Sequence, residues 1–120
     1  MKRIIERHTI SLKHAVDGVL WSWRTQPNYR VHFIVSALVV IAALYYDIQP
    51  FEWIFLVLTI SVGLVIETIN TALEATSDAI TREWREEIKI AKDASAAAML
   101  TYAIGAAIVA AIIFVPKVLL

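Results

Sequence analysis

The sequence predicts an all-α membrane protein: an N-terminal amphipathic helix at the membrane surface, followed by three transmembrane helices. Three observations carry that prediction. The chain of 120 residues is 59% apolar with a mean hydropathy of +0.67, too apolar for a soluble domain of this size. Three stretches are free of Asp, Glu, Lys and Arg: Val31–Tyr46, Trp53–Ile66 and Ala94–Val115. The basic residues cluster at two places along the chain, so a formal net charge of zero hides a strong separation. The length suits a single domain, residues 1–120, with no internal repeat or low-complexity tract.

Residues 1–28 read as the surface helix and its turn. Ile4, Ile5, Ile10, Leu12, Val16, Val19, Leu20 and Trp23 alternate with basic residues at helical spacing, and Trp21 and Trp23 suit an interfacial anchor. No apolar h-region of a cleaved signal is expected there. Pro27 disfavours helix at Gln26 and can open the next helix. The transmembrane helices are expected at about 29–46, 51–73 and 93–115, with Pro50 opening the second and Pro116 near the end of the third. Ala94–Val115 alone would measure roughly 33 Å as a helix, enough to cross a core of about 30 Å. The second reaches spanning length by running on through "ETINTAL". Residues 79–92 form a charged connection.

Lys2, Arg3, Arg7, Lys13, Arg24 and Arg30 precede the first span, and Arg82, Arg85, Lys89 and Lys92 follow the second. No basic residue lies in 47–52. The positive-inside bias therefore puts the N-terminus and residues 74–92 in the cytosol, and the 47–52 turn and the C-terminus outside. The absence of cysteine excludes disulfides and thiolate metal sites. Small residues along the third span, from Ala96 to Ala111, let helices approach closely, a pattern that packing within one chain also explains. A homo-oligomer is expected because three helices poorly enclose the polar face of the second span. No feature calls for nucleic acid.

The second span carries the chemistry. At about 100° per residue, Asn70, Glu74 and Asp78 fall at about 300°, 340° and 20° from Glu67, one arc of roughly 80°. They form a ladder from inside the membrane to the cytosol. A carboxylate at the depth of Glu67 is costly and reads by default as functional, here a proton acceptor. Oxygen ligands at the cytosolic end suit Mg²⁺, and Mg²⁺ suits a nucleotide phosphate. Lys92, beside Asp93, supplies a point charge for that phosphate. The alternative bland roles are a helix surfacing into water for Asp78 and a snorkelling cation for Lys92. Three glycines cannot build a Walker A loop, and no kinase-type glycine-rich loop is present. His8, His14 and His32 offer no metal spacing, and His32 is expected at an interface.

"ETINTALEATSDAI" with "AKDASAAAML" downstream, after "AVDGVLWSWRTQPNYRVHF", resembles the small bacterial membrane lipid kinases, the prokaryotic diacylglycerol kinases and their undecaprenol kinase relatives. The resemblance runs over roughly residues 7–115. It implies a homotrimer of three-span subunits, a magnesium-dependent kinase that moves the γ-phosphoryl group of ATP to a lipid alcohol, diacylglycerol or undecaprenol. It implies that Glu67 is the catalytic base, that Glu74 binds metal, and that Asn70 and Asp78 are its polar neighbours. It further implies that Lys92, Asp93 and Arg7 contact nucleotide. Gln26 stands where the family carries a second metal-binding glutamate, and His14 where an aromatic nucleotide contact is expected. Glu83, Trp84 and Arg85 occupy the stretch that helps hold the nucleoside. Two other readings compete: a small proton-coupled transporter using Glu67, and a non-catalytic assembly factor, which the loss of charge at Gln26 favours.

Overall fold

A computed structural model describes the backbone of residues 2–119 and the side chains of residues 11–119. Four helices follow in order: α1 (Lys2–Thr25), α2 (Pro27–Tyr45), α3 (Pro50–Ile80) and α4 (Glu86–Leu119). Three of them, α2, α3 and α4, are long and apolar enough to cross a membrane. The helices outrun the expected spans: α3 continues without a break to Ile80, and α4 passes through Pro116. At about 1.5 Å per residue α3 and α4 measure roughly 46 and 51 Å, well beyond a hydrocarbon core of about 30 Å.

The breaks fall where backbone chemistry demands them. Gln26 is extended (φ −107°, ψ 110°) before Pro27, which opens α2. At the other end of α2 the chain reverses through Asp47, whose φ of 47° is left-handed. The Ile48 amide donates to the Ala43 carbonyl at 3.2 Å, and the Asp47 amide to Leu44 at 3.3 Å. That paired bonding is a Schellman closure, satisfying carbonyls the helix end would leave open. Ile48 then packs with Ala43, Leu56 and Ile113 in a buried apolar cluster at this end of the bundle. Next to it the Gln49 amide donates to Glu52 Oε2 at 2.7 Å, and Lys117 Nζ lies 3.0 Å from the same oxygen. One carboxylate thus caps α3 and ties it to the end of α4.

α3 packs against α4, α2 and α1. The tight crossing with α4 depends on Gly63: the ring and hydroxyl of Tyr102 occupy the space a Cβ would take, and the hydroxyl donates to the Thr59 carbonyl at 3.0 Å. Thr59, Thr68, Thr76 and Thr101 each donate to the carbonyl four residues earlier, so their hydroxyls are satisfied within their own helices.

The surface is what separates this bundle from a soluble one. Ile34, Leu38 and Ile41 of α2 point outward, as do Ile54, Leu58, Val62, Val65 and Ile69 of α3 and Leu100, Ile104, Ile108 and Ile112 of α4. Each set repeats at three or four residues and makes an apolar stripe. Leu12, Val16, Val19 and Trp23 make another on α1. Trp23 also meets Phe33 edge-on at 5.4 Å, and Phe33 adjoins the buried Tyr29, which fixes the α1–α2 corner. The molecule measures 53 × 48 × 22 Å, so it is thin in one direction and leaves helix faces open.

Candidate active site

The arc expected on α3 is present: its Glu67 and Asn70 are buried, while Glu74 and Asp78 are exposed. Glu67 is 2% exposed and Asn70 8%, with Thr71 and Ser77 also buried. Glu67, Asn70 and Glu74 line one hollow of about 310 Å³. α2 contributes Asn28 and His32 to it, and α4 contributes Ala96, Met99, Leu100 and Ala103. The small alanines of α4 leave the hollow its width.

Asn70 organises the wall. Its Oδ1 accepts from the Ser95 hydroxyl across the α3–α4 contact, and its Nδ2 donates to Glu74 Oε1 at 3.4 Å. The amide is therefore oriented by α4 and in turn holds Glu74. Glu67 is different. Its Oε2 is buried and has no hydrogen-bond partner among the described residues, while His32 Nε2 stands 3.8 Å away. An unsatisfied buried acceptor costs about 1–3 kcal/mol, and more if charged, so a fold that keeps one without a function is selecting against itself.

A second hollow of about 780 Å³ opens at the far end of α3. It collects Asp78, Glu83, Trp84, Arg85, Lys92 and Asp93, together with Arg82 and Lys89. The five non-helical residues between α3 and α4 make this possible, because they fold the loop back over the helix ends. Lys92 Nζ bonds Asp78 Oδ1 at 2.7 Å, bridging the two helices, and Lys89 pairs with Asp93 one turn along α4. Trp84 is 79% exposed at the edge. Lys92 and Asp93, adjacent in sequence, thus face different partners.

The remaining expected site residues are placed elsewhere. Gln26 is half-buried at the start of α2 and lines neither hollow, and its amide lies 3.4 Å from the Thr25 hydroxyl. His14 is exposed on α1. The Arg7 side chain lies outside the described residues. Among the described residues no three His, Asp or Glu side chains are gathered to hold a metal. Glu74 is available, and Mg²⁺ commonly takes only one or two protein carboxylates beside phosphate oxygens and water, so the donor set fits a metal that arrives with a nucleotide.

Sequence reasoning missed His32, Asn28 and Ser95. The first two carried a signal: four residues apart on α2, they share a face and both reach the Glu67 hollow. Ser95 gave none, since among so many small residues a serine reads as packing.

A helical bundle with three candidate spans, a buried acid on the middle one and a hollow of mixed charge at one end has the architecture of an integral-membrane protein. Comparison with known proteins sharpens that class. The chain belongs to the prokaryotic diacylglycerol kinase family, whose model matches residues 13–114. It is 33% identical over 113 residues to an undecaprenol kinase of Bacillus subtilis, covering 94% of this chain and 92% of that one. It is 34% identical over 111 residues to a diacylglycerol kinase of Synechocystis, covering 92% of this chain and 63% of the other. A diacylglycerol kinase of Escherichia coli is 28% identical over 83 residues, 69% of this chain and 68% of its own. Family membership sets the transporter reading aside.

Proposed function

We propose that this chain is a lipid kinase that moves the γ-phosphoryl group of ATP to the hydroxyl of a membrane alcohol, diacylglycerol or undecaprenol. The nearly end-to-end match to an undecaprenol kinase favours the polyprenol. The observation that carries the reading is the buried Glu67 carboxyl, whose Oε2 has no hydrogen-bond partner among the described residues, in a hollow on the same face of α3 that leads to the charged pocket. Along α3, Glu67 lies about 26 Å from Pro50, Glu74 about 36 Å and Asp78 about 42 Å. Measured against a core of about 30 Å, Glu67 is just inside the membrane and the other two are beyond it. A lipid hydroxyl and a water-soluble nucleotide meet at that boundary.

In this reading Glu67 is the general base that takes the hydroxyl proton. Glu74, held by Asn70, which Ser95 orients, would carry Mg²⁺ together with the phosphates. Gln26, which lines neither hollow of the single chain, would add an oxygen donor from a neighbouring subunit. The metal neutralises charge on the polyphosphate. Lys92 and Arg85 offset charge on the transferring group, which is the larger part of phosphoryl-transfer catalysis. Asp78, Glu83, Trp84 and Asp93 bound the nucleotide pocket, and Arg7 and His14 approach it from α1. Three such subunits form a homotrimer in the bacterial cytoplasmic membrane, with each N-terminus and residues 81–85 in the cytosol. The thin bundle and its exposed apolar stripes support an assembly.

The deciding experiment is phosphate transfer from labelled ATP to a panel of lipid alcohols in mixed micelles, with and without Mg²⁺. Magnesium-dependent labelling of undecaprenol or diacylglycerol is the expected result. No labelling of any alcohol overturns the reading.

A further inference from the structure

Glu67 needs something to hold it. A carboxyl group with free torsions presents its oxygens in many directions, and a general base is effective only when one lone pair faces the proton it takes. α3 itself offers Glu67 the side chains of Asn70 and Glu74, and Asn70 is already committed to Ser95 and Glu74. The α4 wall of the hollow is apolar. α2 brings Asn28 and His32, and His32 Nε2 stands 3.8 Å from Glu67 Oε2.

His32 has a second neighbour. Its ring also lines an apolar cavity of about 300 Å³ between α2, α3 and α4, walled by Val35, Val39, Leu56 and Ile60 among others. The imidazole is therefore a partition between the acid's hollow and an apolar space. Tyr102, whose ring lies 6.4 Å from it, lines that space as well. A molecule with an apolar chain and a terminal hydroxyl fits such a boundary.

We propose that His32 is a positioning residue for Glu67: its Nε2–H donates to Oε2 once the lipid is in place, leaving Oε1 turned to the lipid hydroxyl. A separation of 3.8 Å is too long for a hydrogen bond and must shorten by about 1 Å. Contacts of this kind are commonly long in ligand-free sites and tighten when substrate enters. The inference rests on the lipid-kinase reading. In the step itself the hydroxyl proton passes to Oε1 and the lipid oxygen bonds to the γ-phosphorus. The bond from that phosphorus to the β–γ bridging oxygen breaks, its electron pair leaving with the nucleoside diphosphate. His32 neither gains nor loses a proton.

The test uses His32→Ala, His32→Gln and Glu67→Gln in the full-length protein, assayed with ATP and undecaprenol or diacylglycerol in micelles. His32→Ala should lower kcat roughly 10- to 100-fold with KM for ATP unchanged, as expected when orientation alone is lost. The glutamine amide reaches about as far as Nε2, so His32→Gln should return kcat to within a few-fold of wild type. Wild-type kcat in His32→Ala, or equal losses in both variants, overturns the proposal. A second readout does not need turnover: the infrared carboxyl band of Glu67, assigned by its loss in Glu67→Gln, in lipid-loaded micelles. It should shift in His32→Ala and return in His32→Gln, and a band that stays put overturns the proposal. Should wild-type protein phosphorylate no alcohol, the kinase reading fails while the infrared comparison still decides His32.

Discussion

In the proposed reaction Glu67 concentrates the chemistry into one side chain, and its surroundings give a sign to the cost of changing it. Glutamine has the same shape without the charge. Because Oε2 has no hydrogen-bond partner among the described residues, Glu67→Gln breaks no bond there that holds the fold. Phosphate transfer should drop by at least about 10²-fold, the usual loss of a general base, while the thermal midpoint in detergent stays level or rises. A lower midpoint together with retained transfer would make Glu67 structural instead. Asp47 is the second residue whose behaviour follows from local geometry. Its φ of 47° costs an ordinary side chain about 1–2 kcal/mol, and glycine avoids that cost. Asp47→Gly should hold or raise stability, and Asp47→Val should lower it by about 1–2 kcal/mol, read as a shift in detergent or denaturant unfolding. Neither should change kcat, since this turn lies at the opposite end of α3 from the cationic hollow.

At the scale of elements, α3 joins two environments in one uninterrupted helix. Its polar arc was legible from spacing alone, because a 3.6-residue period fixes direction without any tertiary information. The hollow's other walls were not legible in the same way. His32 could be seen to share a face with Asn28, yet nothing in the sequence says which neighbour that face meets. Gln26 illustrates the reverse: its place relative to "NYR" suggested a metal partner for Glu74, but in the single chain it stands at the N-cap position of α2, makes no side-chain capping bond and lines neither hollow. The α3–α4 crossing supplies an element-scale prediction. With Tyr102 filling the space beside Gly63, Gly63→Ala should destabilise by about 1–3 kcal/mol, as overpacked cores do. Adding Tyr102→Leu should recover part of that loss, and the double-mutant coupling measures how much. Fully additive losses would mean the two residues do not share the space.

Taken whole, the chain has polar ends, apolar flanks and no cysteine, which makes it suited to single-cysteine mapping. A cysteine at Trp84 should react with impermeant reagent only from the cytosolic side, and one at Asp47 only from outside. The reverse pattern would overturn the orientation. Gln26 is best tested at this scale too. If neighbouring subunits complete the metal site, Gln26→Glu lowers the Mg²⁺ concentration needed for half-maximal transfer in the assembled protein, and an unchanged titration removes Gln26 from the site. Assembly itself was the least legible property. Small residues on α4 show that helices can approach closely, but the same alanines also widen the Glu67 hollow, so the pattern serves both uses.

The paired lysines of the hollow beyond α3 carry one more consequence. Lys92 is joined to Asp78 and Lys89 to Asp93, so each of these two lysines rests beside its own counter-charge. An incoming polyphosphate does not fall into a bare positive trap; it trades places with carboxylates that are already there. Attraction at a distance is muted, and selectivity shifts to ligands that bring a cation for the displaced acids to hold. On the proposed reading, metal-free nucleotide or inorganic phosphate alone would leave those acids without a counter-charge and should bind more weakly than the metal complex.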